Sequence, residues 1–119
     1  MPEGVVANMI TVERVKAAYE KAGIRPIRNH FVMINNAGEK CGCGLTAILV
    51  GEGIISFEDW LEGNYGTTLP SEFIARQLDL TEDQVRGFMD GFDGSLCLYD
   101  SRREYYEIGK ACRKELIGE

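Results

Sequence analysis

The sequence predicts a mainly α-helical single domain over residues 1–119, made of five or six short helices with at most one small strand pair. Three observations carry that expectation. Apolar residues recur at helical spacing in several separate stretches, residues that cap helices stand just ahead of most of them, and alternating runs of the sheet-forming kind are too few for an α/β or all-β fold. The composition agrees: 119 residues with 45% hydrophobic and 27% charged side chains suffice for one packed core without disulfide staples.

The elements follow in order. After a loose start, Val12, Val15, Tyr19 and Ala22 mark a helix over 12–22, with Thr11 as its cap and Gly23 as its left-handed end. Residues 24–40 hold Pro26, the apolar run Phe31–Ile34 and the turn-forming Asn35, Asn36 and Gly38, which suits a short strand or an irregular packed segment. From Cys43 to Val50 nearly every residue is apolar, so a central helix buried on all sides is expected, ending at Gly51 or Gly53, with a buried strand as the alternative. Ser56 with Asp59 opens a short helix through Trp60 and Leu61 that stops at Gly63. Pro70 suits the first turn of the next helix, whose inward face reads Phe73, Ile74, Gln77 and Leu78. Thr81 and Gln84 form a capping box ahead of Val85, Phe88, Met89 and Phe92, the clearest helical pattern in the chain. An apolar stretch, Leu96–Tyr99, precedes a closing helix from about Ser101 marked by Tyr105, Ile108, Cys112 and Leu116.

The formal charge of -6 is local. Residues 1–50 sum to +2 (six basic, four acidic), 51–100 to -9 (two basic, eleven acidic) and 101–119 to +1 (five basic, four acidic). An acidic middle repels phosphate backbones and favours a partner with a basic surface. Within or beside it, Trp60, Tyr65, Glu82, Asp83 and Asp90 are the candidate partner-binding residues. No apolar run approaches the roughly 18 residues of a membrane helix, and the N-terminus has no basic-then-apolar leader pattern. A cytoplasmic protein without a membrane partner is the expectation.

Residues 71–90 resemble a helix-turn-helix element of the DNA-binding type, with Ala75 at the small position, Leu78 before the turn and Val85 in the second helix. That resemblance implies a DNA-binding regulator, with bases supplied from the flanks by Arg25, Arg28, Arg102 and Arg103. The sequence departs from the pattern where function lies. Asp79 stands at the turn position usually held by Gly, and the second helix carries Glu82, Asp83 and Asp90 against Arg86 alone, a charge that opposes a phosphate groove.

Cys41-Gly42-Cys43-Gly44 leads into the apolar helix, and a thiol at a helix N-terminus can be activated by the dipole and free N–H groups. The string Cys-Gly-x-x-Leu-x-Ala-Ile-Leu, from Cys41 through Leu49, also resembles the nucleophile helix of papain-like cysteine peptidases. Those enzymes take their base from a downstream histidine, whereas the single histidine here, His30, lies upstream. Cys41 and Cys43 are therefore candidates for thiol or metal chemistry, although C-x-C followed by the isolated Cys97 and Cys112 is not zinc-knuckle spacing. Glycine is abundant, at 14 residues, and clusters at 42–44 and 87–94. Gly87 and Gly91 share a helical face, which points to close helix packing. No phosphate-cradling loop or calcium loop occurs, and no cofactor is indicated. With no family recognised across the chain, these features favour a non-enzymatic protein-interaction or regulatory module over catalysis. The helix-turn-helix regulator and a thiol- or metal-dependent protein remain the alternatives, and the apolar central helix leaves room for a homodimer seam.

Overall fold

Helix α1 (Val12–Ala22) begins where Thr11 Oγ1 accepts a hydrogen bond from the Arg14 amide at 3.1 Å and ends at Gly23, whose φ of 67° requires a residue without Cβ strain. The computed structural model describes residues 9–119. The loose start expected ahead of α1 falls mostly on residues outside this range, but Ile10 is already core, at 1% exposure. The remaining elements are β1 (Arg25–Pro26), β2 (Val32–Ile34), β3 (Lys40–Gly42), α2 (Gly44–Gly51), α3 (Phe57–Glu62), α4 (Pro70–Leu78), α5 (Glu82–Asp93), a 3₁₀ turn (Asp100–Arg102) and α6 (Arg103–Leu116). The fold is mainly α, with six helices among the described residues.

A three-stranded sheet replaces the strand pair allowed by the sequence. β3 lies between β1, to which it is parallel, and β2, to which it is antiparallel, with Cys41 opposite both Arg25 and Met33. Residues 40–42 show no strand alternation. They become a strand because the Asn35 side chain closes the turn before them, its Oδ1 accepting from the Ala37 and Glu39 amides at 3.0 and 2.8 Å. Tyr19 ties the sheet to α1 through a buried hydroxyl donating to the Gly42 carbonyl at 2.8 Å.

Helix α2 is the centre of the molecule, as its unbroken apolar run predicts. Every residue from Gly44 to Leu49 is buried. A Cβ on Gly51 would strike the Ala18 backbone of α1, and one on Gly44 would meet the Phe88 ring of α5 at 2.8 Å, so the two glycines set how closely α2 approaches its neighbours. In α4 the buried face is Ile74, Ala75 and Leu78. Gln77, expected inside, is exposed, because Ala75 lets the helix roll toward the core and turns position 77 outward. α4 ends at Asp79 with φ 56° and ψ 48°, its amide donating to the Ala75 carbonyl. The left-handed geometry expected of glycine is thus kept by an aspartate, one of the residue types that tolerate it.

Helices α5 and α6 pack backbone to backbone. Gly87 faces Arg102, Gly91 faces Tyr106, and Gly109 faces Phe88 and Phe92, in each case so closely that a Cβ would overlap main-chain atoms. The order of these pairs, together with Gly94 beside Arg113, shows that the two helices run in the same direction. Consecutive parallel helices need a return crossing. Helix α5 has 12 residues and rises about 18 Å at 1.5 Å per residue. The segment from Ser95 to Asp100 can span that length only when extended, at about 3.3 Å per residue. Residues 95–99 accordingly run without a bend or turn.

Candidate functional site

Cys43 is the N-cap residue of α2, where the helix dipole should favour a thiolate. Burial overrides it. Cys43 is 0% exposed, and desolvation pushes its thiol up to about 11 despite hydrogen bonds from the Thr46 and Leu45 backbone and the Thr46 side chain. Its Sγ lies 3.7 Å from Thr46 Oγ1. Cys41 is also buried, its Sγ directed to the Glu39 carbonyl at 3.5 Å. Both thiols of the candidate pair are thus enclosed by the core, and the chain's single histidine, His30, lies exposed in the β1–β2 loop. Among the described residues no three His, Cys, Asp or Glu side chains gather in an arrangement able to hold a metal.

Trp60 is likewise a core residue rather than a surface one, at 3% exposure. Its Nε1 donates to Thr46 Oγ1 at 2.7 Å, and Thr46 donates to the Phe31 carbonyl at 2.6 Å. This chain of bonds joins α3, α2 and the entry to β2, and it satisfies the one buried polar side chain of the core. Tyr65 is half-buried, its ring 4.8 Å from Trp60 and 4.9 Å from Phe73. Two shallow cavities, of about 340 and 330 Å³, meet at Phe31 and Pro70. The first is walled by Trp60, Leu61 and Tyr65, the second by Met89, Arg86 and Asp90.

The acidic candidates are brought together, but with bases supplied by other parts of the chain. Asp83 Oδ1 accepts from Arg102 Nε at 3.3 Å, and Asp90 lies 3.7 Å from the same guanidinium. Glu82 reaches Arg86 at 3.5 Å. Elsewhere in the acidic window, Arg14 holds Glu52 at 2.8 and 2.9 Å and Lys40 meets Glu58 at 3.1 Å; the Arg14 contact holds Glu52 below the ordinary carboxylate range, and Glu58 is held low first by its own backbone amide and then by Lys40. The arginines invoked for DNA are similarly engaged. Arg25 pairs with Glu39, Arg28 with Glu119, Arg102 with Asp83 and Asp90, and Arg103 with Glu107.

What sequence reading missed is the crossing itself. Leu96, Leu98 and Tyr99 are 77%, 75% and 56% exposed, a concentration of solvent-facing apolar side chains unmatched elsewhere among the described residues. The segment is anchored at both ends. The Ser95 amide donates to the Asp90 carbonyl at 2.8 Å, Tyr106 Oη donates to the Ser95 carbonyl at 2.9 Å, and the Arg102 amide donates to the Tyr99 carbonyl at 3.1 Å. The Arg102 guanidinium lies 4.5 Å from the Tyr99 ring centre. No local pattern signals the crossing, because it follows from the parallel packing of α5 and α6: six residues returning past a 12-residue helix cannot fold back over their own leucines.

Comparison with known proteins gives no match to any family model, curated protein or solved structure. No helix among the described residues is long and apolar enough to cross a membrane.

Proposed function

We propose that the protein is a non-enzymatic, cytoplasmic protein-interaction module, and that its contact surface is the extended crossing Ser95–Tyr99 with its acidic flanks. The observation that carries this reading is the exposure of Leu96, Leu98 and Tyr99 on a segment fixed at both ends. Chain geometry requires the crossing to be extended, but not to be leucine. Serine or threonine would span the same distance without holding apolar surface in water, and a rimmed apolar patch marks an interaction site. The burial of Cys41 and Cys43 supports binding over thiol chemistry. The internal pairing of Arg25, Arg28, Arg102 and Arg103 supports a protein partner over nucleic acid.

The test is capture of partners by the wild-type protein and by a Leu96→Ser/Leu98→Ser double variant, across a salt series. Partners held by the wild type, released by the double variant and weakened by salt are the expected result. Equal retention by both proteins would remove the crossing as the contact surface, and retention insensitive to salt would remove the electrostatic component.

A further inference from the structure

Two arginines from separate elements converge on the C-terminal end of α5. The β1–β2 loop turns at Asn29, whose φ is 68° and whose amide donates to Asp93 Oδ1 at 2.8 Å. This lays Arg28 across the helix end. Its Nε and Nη2 both donate to the Asp93 carbonyl, at 3.2 and 2.7 Å, one of the main-chain acceptors that a helix leaves open there. Helix α6 brings Arg113. The two guanidiniums meet at Gly94, where a Cβ would lie 2.5 Å from Arg28 Nη2 and 3.4 Å from Arg113 Nη1. Like charges held this close are stabilised by an anion that both can reach. Within the chain Glu119 plays that part: Arg28 Nη1 donates to Glu119 Oε1 at 2.5 Å, and Arg113 Nη1 donates to the Glu119 main-chain oxygen at 3.2 Å.

We propose that Arg28 and Arg113 form a binding site for a phosphate monoester, whose place Glu119 takes within the chain. The match with Glu119 is incomplete. Arg113 Nε is buried without an acceptor, and Arg113 meets Glu119 only through a main-chain oxygen rather than a side-chain carboxylate. With Glu119 displaced, Arg28 Nη1, Arg113 Nη1 and Arg113 Nε offer three donors on two guanidiniums. A carboxylate has two oxygens to meet them, whereas a phosphate monoester has three outside its ester bond. Charge agrees. Burial raises the Asp93 carboxyl, the acid that stays at the site, while the Asn29 amide, Arg28 and His30 favour its ionised form and Asp90 opposes it. Fully ionised, Asp93 cancels one guanidinium and leaves the other for an incoming anion. Glu119 is also built to be displaced. Its side chain is 58% exposed, and exposed ion pairs are weak. The Ile117 and Gly118 amides donate to the Arg113 carbonyl at 2.8 and 3.1 Å, so the chain is held as far as Gly118. That residue has φ 85° and nothing near the place of a Cβ, which gives Glu119 room to leave. The site is independent of the crossing as a contact surface, and either reading can fail alone.

The experiment is a proton–nitrogen NMR titration of the intact protein near neutral pH, following the Gly94 amide and the Arg28 and Arg113 Nε–H signals. The probes are inorganic phosphate, N-acetyl-O-phosphoserine amide, dimethyl phosphate and acetate, each against sodium chloride at matched ionic strength. Inorganic phosphate and the phosphoserine compound are expected to move all three signals saturably. Glu119→Gln should bind them about threefold more tightly, because the competing carboxylate is gone. Arg113→Gln should weaken binding at least about tenfold, as should the single charge of dimethyl phosphate. Shifts no larger than those from sodium chloride would overturn the site. Equal affinity of wild type and Glu119→Gln would overturn Glu119 as the internal occupant, and acetate bound as tightly as phosphate would overturn the choice of phosphate. Unshifted Gly87 and Gly91 amides report that Arg113→Gln keeps the seam; if it does not, Glu119→Gln, a change at an exposed side chain, still decides. Tighter binding of the phosphoserine compound than of inorganic phosphate assigns the site to a phosphorylated side chain, and the reverse order assigns it to free phosphate.

Discussion

The seam between α5 and α6 and the crossing that connects them are adjacent in sequence and opposite in construction. At the seam, Gly87, Gly91 and Gly109 bring two backbones together with no room for a methyl group. On the crossing, Leu96 and Leu98 are 77% and 75% exposed. The same parallel arrangement of helices produces both. Close approach demands glycine where the helices meet, and the short return demands an extended strand outside them. The seam is thus fixed by stability, whereas the leucines of the crossing do nothing for the fold that smaller polar residues would not do.

The comparison can be broken most sharply at Gly91. Gly91→Ala places a methyl group on the Tyr106 carbonyl, main chain that cannot move aside locally, and should cost roughly 3 kcal/mol. A lower urea midpoint at unchanged slope would show this; an unchanged midpoint would mean the seam is looser than its glycines imply. Thr46→Val removes the acceptor for Trp60 Nε1, leaving that buried donor unpaired, and one of the two donors to the Phe31 carbonyl, which keeps the Cys43 amide at 3.0 Å; it should cost about 2 kcal/mol in the same assay. Leu96→Ser/Leu98→Ser should shift stability by less than about 0.5 kcal/mol. A larger loss would show that the crossing packs after all, and would weaken its assignment as a contact surface.

The cysteines sharpen the contrast without changing stability near neutral pH. A neutral-pH maleimide should label Cys97 on the crossing rapidly, and Cys41, Cys43 and Cys112 only after unfolding, because those three are buried. Burial raises Cys43 to about 11 and Cys112 to about 12, from an ordinary 9.0. The unfolded thiols therefore ionise first as pH rises. Stability should be unaffected by these two groups below about pH 9 and fall through the window up to about 12. Thermal melts that stayed flat across that range would contradict the burial.

Much of the fold was legible because local chemistry and tertiary packing agree. Thr11 and Thr81 cap the helices they were expected to cap, with side chains accepting from Arg14 and Gln84 amides. The unbroken apolar run at residues 44–49 is buried throughout. Gln77 misled because periodicity counts spacing and cannot see that Ala75 is the residue admitted to the core. Cys43 stands at a helix N-terminus as the sequence suggested, but it is fully buried, and desolvation there outweighs the favourable end of the helix. Trp60, Asp83 and Asp90 were expected at a partner surface; the groups they meet within the chain, Thr46 and Arg102, lie 14, 19 and 12 positions away, beyond the reach of a local pattern.

By itself the sequence determined the helices, their ends, the central place of α2 and the glycine contacts between helices. Each of these depends on residue types within one or two turns of chain: caps, apolar spacing, and side chains too small to keep a neighbour away. Only the tertiary structure decided the direction in which α6 runs beside α5, and with it the exposure of Leu96–Tyr99. Direction is a relation between two helices that no local pattern records, and an apolar run reads the same whether the fold covers it or stretches it across the surface.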